Sequence, residues 1–222
     1  PIESYWLYWG PKNQTSGIRE EMDENFDKLI KWLLFGTVDF DFISEALLPD
    51  LNKGTQDGRT LTVGCMHYDQ ILVPNCKTLR STTLEILEKF QEAGGSLLFA
   101  GEIPSLEDAI PSERGRKLAE KCTRIPFGKM PLLKALSPIR DVEILEADGT
   151  ASQNLIYQMR EEGENRWLFL SHVYRTYEKN HQTANEDLSF AEQIQLTLTG
   201  IWTPTQYDAM TGEIRPILAS YT

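Results

Sequence analysis

Apolar positions change their period several times along the chain, and each change predicts an element. Ile18, Met22, Phe26, Leu29, Ile30 and Leu33 recur at spacings of three and four, the mark of a helix with one hidden face. Glu20, Glu21, Asp23 and Glu24 lie near its N-terminal end, where carboxylates suit the helix dipole, and Thr15 or Ser16 is the expected N-cap. Residues 39–48 predict a turn and a short second helix stopped by Pro49, and the polar residues 52–58 predict a loop. Residues 61–64 and 69–74 predict short strands, and the unbroken Ile71-Leu72-Val73 has the character of a buried parallel strand. Thr82 and Glu85 have capping-box spacing ahead of Leu84, Ile86, Leu87 and Phe90, and Gly94-Gly95 supplies a stop. Ser96-Leu97-Leu98-Phe99-Ala100 is the next buried strand. Strand, helix, glycine stop and strand make a crossover unit of about 30 residues, so this part reads as an α/β domain with a parallel sheet.

Beyond Gly101 the periods shorten. Residues 114–122 and 131–136 predict helices, and residues 142–145, 155–160 and 167–172 predict strands. The last two strands flank Glu161-Glu162-Gly163-Glu164-Asn165, a hairpin signal. Residues 178–187 predict a polar linker, after which Ile194-Gln195-Leu196-Thr197-Leu198 and a turn between Tyr207 and Glu213 predict antiparallel β structure. The expected division is an α/β domain over 1–175 and the start of a β domain over 176–222. The chain opens on an apolar, aromatic run and closes on a strand-like one, as expected of a piece of a longer polypeptide.

Composition narrows the function classes. At 41% hydrophobic and 25% charged the chain is an ordinary globular one, and no apolar run approaches a membrane span of about 20 residues. A net charge of −11 argues against nucleic acid and anionic membrane as partners. Three cysteines at unrelated spacings suit reduced thiols and a cytoplasmic setting, or an exported protein whose signal peptide lies upstream. No phosphate-binding glycine loop, no C-x-x-C and no histidine cluster is present, so neither a cofactor nor a metal is expected.

In an open parallel sheet, ligands bind at the carboxyl ends of the strands. Those loops would carry Glu3-Ser4, Asn75-Cys76 and Gly101-Glu102. Glu3 and Glu102 have two readings: paired carboxylates for acid/base chemistry, or solvated acids among 33. Cys76 lies between a strand and a helix beside Lys77, the position of a nucleophile, but lacks the flanking glycines of a nucleophile elbow. Its other reading is an inert thiol, which is also the reading of Cys65 and Cys122. Trp6 and Trp9, with Tyr5 and Tyr8, form either a stacking platform for a sugar ring or part of a core and domain interface.

Several segments together carry a family resemblance. Tyr68-Asp69-Gln70-Ile71-Leu72-Val73-Pro74-Asn75, then Thr83-Leu84 and Leu87, then Ala93-Gly94-Gly95 through Gly101, resemble the class I glutamine-amidotransferase-like domain. That domain occurs inside large bacterial glycoside hydrolases, as in the trimerisation domain of family 42 β-galactosidases and the middle region of α-L-rhamnosidase-like enzymes. Residues 1–6 resemble the first strand and loop of such middle domains, and Asp39-Phe40-Asp41-Phe42-Ile43 a further segment of them. Residues 200–213 are similar to strands of the β-sandwich that follows. The resemblance covers about three quarters of the chain. It implies a three-layer flavodoxin-like parallel sheet followed by antiparallel strands, acting as an accessory, oligomerising region of a carbohydrate hydrolase. Its partners would be the other domains of the same polypeptide, further copies of the chain, and carbohydrate. After the strand at 97–100 the sequence reads Gly101-Glu102-Ile103-Pro104, without the amidotransferase cysteine, and His172 has no nucleophile to activate. The resemblance therefore implies no catalysis by this piece. The rival readings are a stand-alone hydrolase using Cys76, or Glu3 with Glu102, and a carbohydrate-binding module.

Overall fold

The computed structural model describes residues 2–173 and 193–220; the expected linker at 178–187 lies outside the described residues. In chain order come α1 (Ile2–Trp6), α2 (Lys12–Phe35), α3 (Leu48–Leu51), β1 (Asn52–Gln56), β2 (Thr60–Val63), β3 (Met66–Tyr68), β4 (Gln70–Pro74) and β5 (Thr78–Leu79). Next are α4 (Ser81–Glu92), β6 (Ser96–Ala100), β7 (Leu106–Glu107), β8 (Ile110–Pro111), α5 (Arg114–Glu120), β9 (Thr123–Ile125) and α6 (Lys129–Leu136). A 3-10 turn, Ser137–Ile139, then leads to β10 (Val142–Glu146), β11 (Leu155–Glu162), β12 (Asn165–His172), β13 (Ile194–Leu198), β14 (Thr205–Tyr207) and β15 (Ile214–Pro216). The result mixes helices with small parallel and antiparallel sheets.

The parallel sheet has the order β4-β6-β9, with Leu72 opposite Leu98 and Leu98 opposite Thr123. Both of its faces are apolar because helices cover both. Leu97 and Phe99 of β6 pack with Leu84 and Leu87 of α4 and Leu118 of α5. Leu98, pointing the other way, packs with Leu29 and Leu33 of α2 and Leu132 and Leu136 of α6. This period-two division of an unbroken apolar run is what the sequence pattern predicts for a strand buried on both sides. The glycine stop is steric as well as conformational: a Cβ on Gly95 would lie 2.3 Å from the Phe90 ring.

Several local expectations are corrected. Residues 2–6 are a short helix, not a strand; so short an apolar run fits either period, and the contacts of Ser4 described below decide between them. Helix α2 begins at Lys12 after Pro11, and Thr15 turns its hydroxyl back onto the Pro11 carbonyl (3.2 Å) instead of capping. Pro49 opens α3 in place of stopping a helix, since a missing N–H costs nothing in a first turn. Residues 52–58, expected as a loop, contain β1, which pairs antiparallel with β2, as β2 does with β3. The capping box does not form. Helix α4 starts at Ser81, whose N–H donates to Asp108 Oδ1 (3.1 Å), while Glu85 pairs with Lys89 (2.6 Å).

The strands that follow have their own core. β10 pairs with β13, β11 with β12, and Val142, Ile144 and Leu155 are buried among Tyr157, Met159, Leu168, Leu170, Ile194 and Leu196. Strands before and after residues 175–176 thus share one core. The link to the α/β part runs through Thr37, just past α2, whose hydroxyl donates to the Val142 carbonyl and accepts from the Arg140 guanidinium (3.2 Å).

Candidate functional site

The loops at the carboxyl ends of β4 and β6 meet, but they close on each other. Glu102 N–H donates to Asn75 Oδ1 (2.6 Å), and Gly101 sits there at φ 90°, where a Cβ would lie 2.9 Å from the same oxygen. Glu102 itself is exposed and paired with Lys77 Nζ (2.7 Å), which raises the lysine's pKa. Cys76 turns away from solvent into the core between the sheet and α4. It is 2% exposed, and burial pushes its thiol up to about 12, with Glu45 and Glu102 adding to the effect. Such a thiol is neutral at physiological pH and out of a substrate's reach, so the nucleophile reading of Cys76 fails on burial and on charge.

Glu3 and Glu102 do not make a pair, because each is held by a different cation. Glu3 Oε1 accepts from Arg80 Nε at 2.6 Å. Its real partner carboxyl is Glu45, 8% exposed, whose Oε2 accepts the Arg80 backbone N–H at 2.8 Å. Glu3 Oε2 and Glu45 Oε1 are both buried, and the two carboxyls lie against each other with the buried Thr83 hydroxyl beside Glu45. A proton on either carboxyl would satisfy both oxygens. Burial pushes the Glu45 carboxyl up, against the pull of the Arg80 N–H and the Thr83 hydroxyl, and the charge of Glu3 adds to the rise. Burial alone would raise Glu3 too. Its own backbone N–H, the Arg80 guanidinium and the Glu45 carboxyl outweigh that and hold Glu3 below the usual carboxylate range. The two shifts therefore run in opposite directions, up for Glu45 and down for Glu3.

Glu3 projects from α1, which is seated on β5 by Ser4. The fully buried Ser4 hydroxyl accepts from Lys77 N–H (2.9 Å) and Thr78 N–H (3.1 Å) and donates to the Thr78 carbonyl (3.2 Å). Seating α1 in this way leaves a cleft of ≈ 350 Å³ lined by Glu3, Trp6, Leu7, Thr78, Leu79, Arg80, Asp108 and Ala109. Trp6 lines it while remaining 56% exposed. Trp9 lies outside this lining, with the Arg19 guanidinium 5.1 Å from its ring centroid. Asp108 and Ala109 form the β7–β8 turn at φ 50° and 67°, held by Asp108 N–H to the Leu79 carbonyl (3.0 Å) and Ala109 N–H to Thr78 Oγ1 (3.1 Å). The Ser81 N–H and hydroxyl keep the Asp108 carboxyl ionised, lowering its pKa.

Of the residues named from sequence, Glu3 and Trp6 come together; Asn75, Cys76 and Glu102 cluster at the closed strand ends, and Trp9 stands apart. Glu45, Arg80 and Asp108 escaped sequence reasoning, because they meet Glu3 only through the fold. Two signals were present. Glu45 is a lone acid in the apolar run Phe42-Ile43-Ser44-Glu45-Ala46-Leu47-Leu48, and Arg80 puts a cation at a helix N-terminus, where one is unfavourable unless a carboxylate compensates. His67 contacts Thr62 Oγ1 (3.1 Å), His172 ends β12, and His181 lies outside the described residues. Among the described residues no group of three or more His, Cys, Asp or Glu is placed to hold a metal ion. No helix among them is long and apolar enough to cross a membrane. No family model, curated protein or solved structure matches the chain.

Proposed function

We propose that the chain is a noncatalytic, structural and oligomerising region of a multidomain bacterial glycoside hydrolase, built on a three-layer flavodoxin-like domain of the class I glutamine-amidotransferase-like kind. The order β4-α4-β6-α5-β9, with helices on both sheet faces, supports that fold. The observation that carries the noncatalytic reading is the state of the strand ends. The loop after β6 holds Gly101-Glu102 in place of a nucleophile, and the nearby thiol of Cys76 is buried and neutral. Nothing there combines an exposed nucleophile with a base. The domain's partners on this reading are the remaining domains of its polypeptide and further copies of itself, and the setting is cytoplasmic.

Assays of the chain with glutamine and with a panel of aryl glycosides test this. The expected result is no turnover, unchanged by Cys76→Ser or Glu102→Gln. Turnover that either substitution abolishes, with the circular-dichroism spectrum intact, would establish the rival enzyme reading.

A further inference from the structure

We infer that the cleft beside α1 is a subsite for a single neutral sugar ring, with Trp6 as its stacking face and Glu3, Arg80 and Asp108 as the groups that hold its hydroxyls. The inference rests on the carbohydrate reading for the choice of a sugar among polyols, and on the cleft itself for everything else. At ≈ 350 Å³ the cleft stands at the small end of ligand pockets, room for one ring and not for a chain.

Its lining divides by chemistry. Trp6, Leu7 and Leu79 supply apolar surface, and three charged side chains supply directional hydrogen bonds. Trp6 differs from the other described tryptophans in its surroundings. Trp32 packs on Phe127 (5.1 Å), Trp202 lies under Arg166 (4.8 Å), Trp9 under Arg19, and Trp167 stands against Tyr207 (5.4 Å). Trp6 leaves more than half its surface open within a concave site, where the C–H face of a pyranose fits an indole.

The polar groups are held in place before any ligand arrives. Glu3 is fixed by Arg80 and Glu45, the Arg80 backbone by Glu45, and Asp108 by Ser81 N–H within its left-handed turn. Arg80 spends only Nε on Glu3, so its two terminal amino groups have no partner among the described residues. Vicinal hydroxyls need donors and acceptors side by side; the Arg80 amino groups donate, and Asp108 with the second lone pair of Glu3 Oε1 accepts, Glu3 Oε2 being buried against Glu45. Charge selects against the alternatives. Two carboxylates against one guanidinium leave the cleft net negative, which disfavours a phosphate or carboxylate ligand, and the guanidinium opposes a cation. Glu45, behind Glu3, is a positioning residue.

The test titrates the 222-residue chain with the methyl glycosides of glucose, galactose, mannose and rhamnose to about 50 mM, well above a millimolar dissociation constant. Indole N–H resonances are followed by NMR, with acetate and tetramethylammonium as anionic and cationic comparisons. The expected result is saturable shifting of the Trp6 resonance by at least one glycoside. Affinity should fall about tenfold or more in Glu3→Gln, saturation-transfer signals should vanish in Trp6→Ala, and Trp167→Ala should bind as the parent does. Absence of glycoside binding, binding unaltered by Trp6→Ala, or a Trp6 response to acetate or tetramethylammonium alone would overturn the inference. Aryl glycoside turnover is read on the same samples. Absent binding without turnover removes the subsite and leaves the noncatalytic reading standing, whereas turnover removes the noncatalytic reading.

Discussion

Glu45 and Glu3 lie against each other beside one guanidinium, and their opposite pKa shifts give folding a pH dependence of known sign. The Glu45 carboxyl has its folded pKa raised, so its contribution is full below the ordinary value of 4.5 and is lost as pH rises through the raised value. Glu3 has its folded pKa lowered, so its contribution is present above 4.5 and is lost as pH falls through the lowered value. Glu45→Gln keeps an amide donor for Glu3 and an acceptor for Arg80 N–H at every pH. Melting curves should show its Tm advantage over the parent growing from pH 5 to pH 8; an equal difference at both would contradict the raised Glu45 pKa. Thiol titration makes a second residue-scale test. Exposed Cys65 should react with a disulfide reagent in the native chain, and buried Cys76 only after unfolding. A third test concerns Ala109, at φ 67°: Ala109→Gly should stabilise by about 1 kcal/mol, read by chemical denaturation, because a Cβ is unfavourable in the left-handed region.

Helix α1 is five residues long and held mainly by one hydroxyl, so the cleft depends on Ser4. Ser4→Ala leaves the part-buried Lys77 N–H and the buried Thr78 N–H without their acceptor and should cost about 1–3 kcal/mol. Limited proteolysis should then cut near residues 7–12 faster than in the parent; an unchanged rate would mean that Arg80 alone holds the helix. The same element shows where sequence patterns end. β4, α4 and β6 were legible because a doubly buried strand, a 3.6-period helix and a paired glycine each leave a local signature. Residues 2–6 were not, because one short apolar run fits two periods and a contact 74 positions away decides. β1 was hidden for another reason: Asn52-Lys53-Gly54-Thr55 has loop composition, and pairing with β2 makes it a strand. Glu3 and Trp6 were visible as chemistry, but the partners that give them a role are brought there by tertiary packing.

For the whole molecule, a parallel sheet covered by helices and a second core of antiparallel strands meet at Thr37, and the described surface carries exposed aromatic groups at Trp6, Trp9, Phe42, Trp167, Phe169 and Tyr207. On the proposed reading such surfaces serve contacts with other domains and other copies, and the chemistry of the hydrolase is done elsewhere in its polypeptide. The most direct test of that claim is the natural reading frame around this segment, sequenced outward from both ends. The account predicts a frame running on upstream through a barrel-like series of strands and helices that carries the catalytic carboxylates. A frame confined to residues 1–222 would contradict it, and would leave the cleft of Glu3, Trp6 and Arg80 as the place to look for an activity.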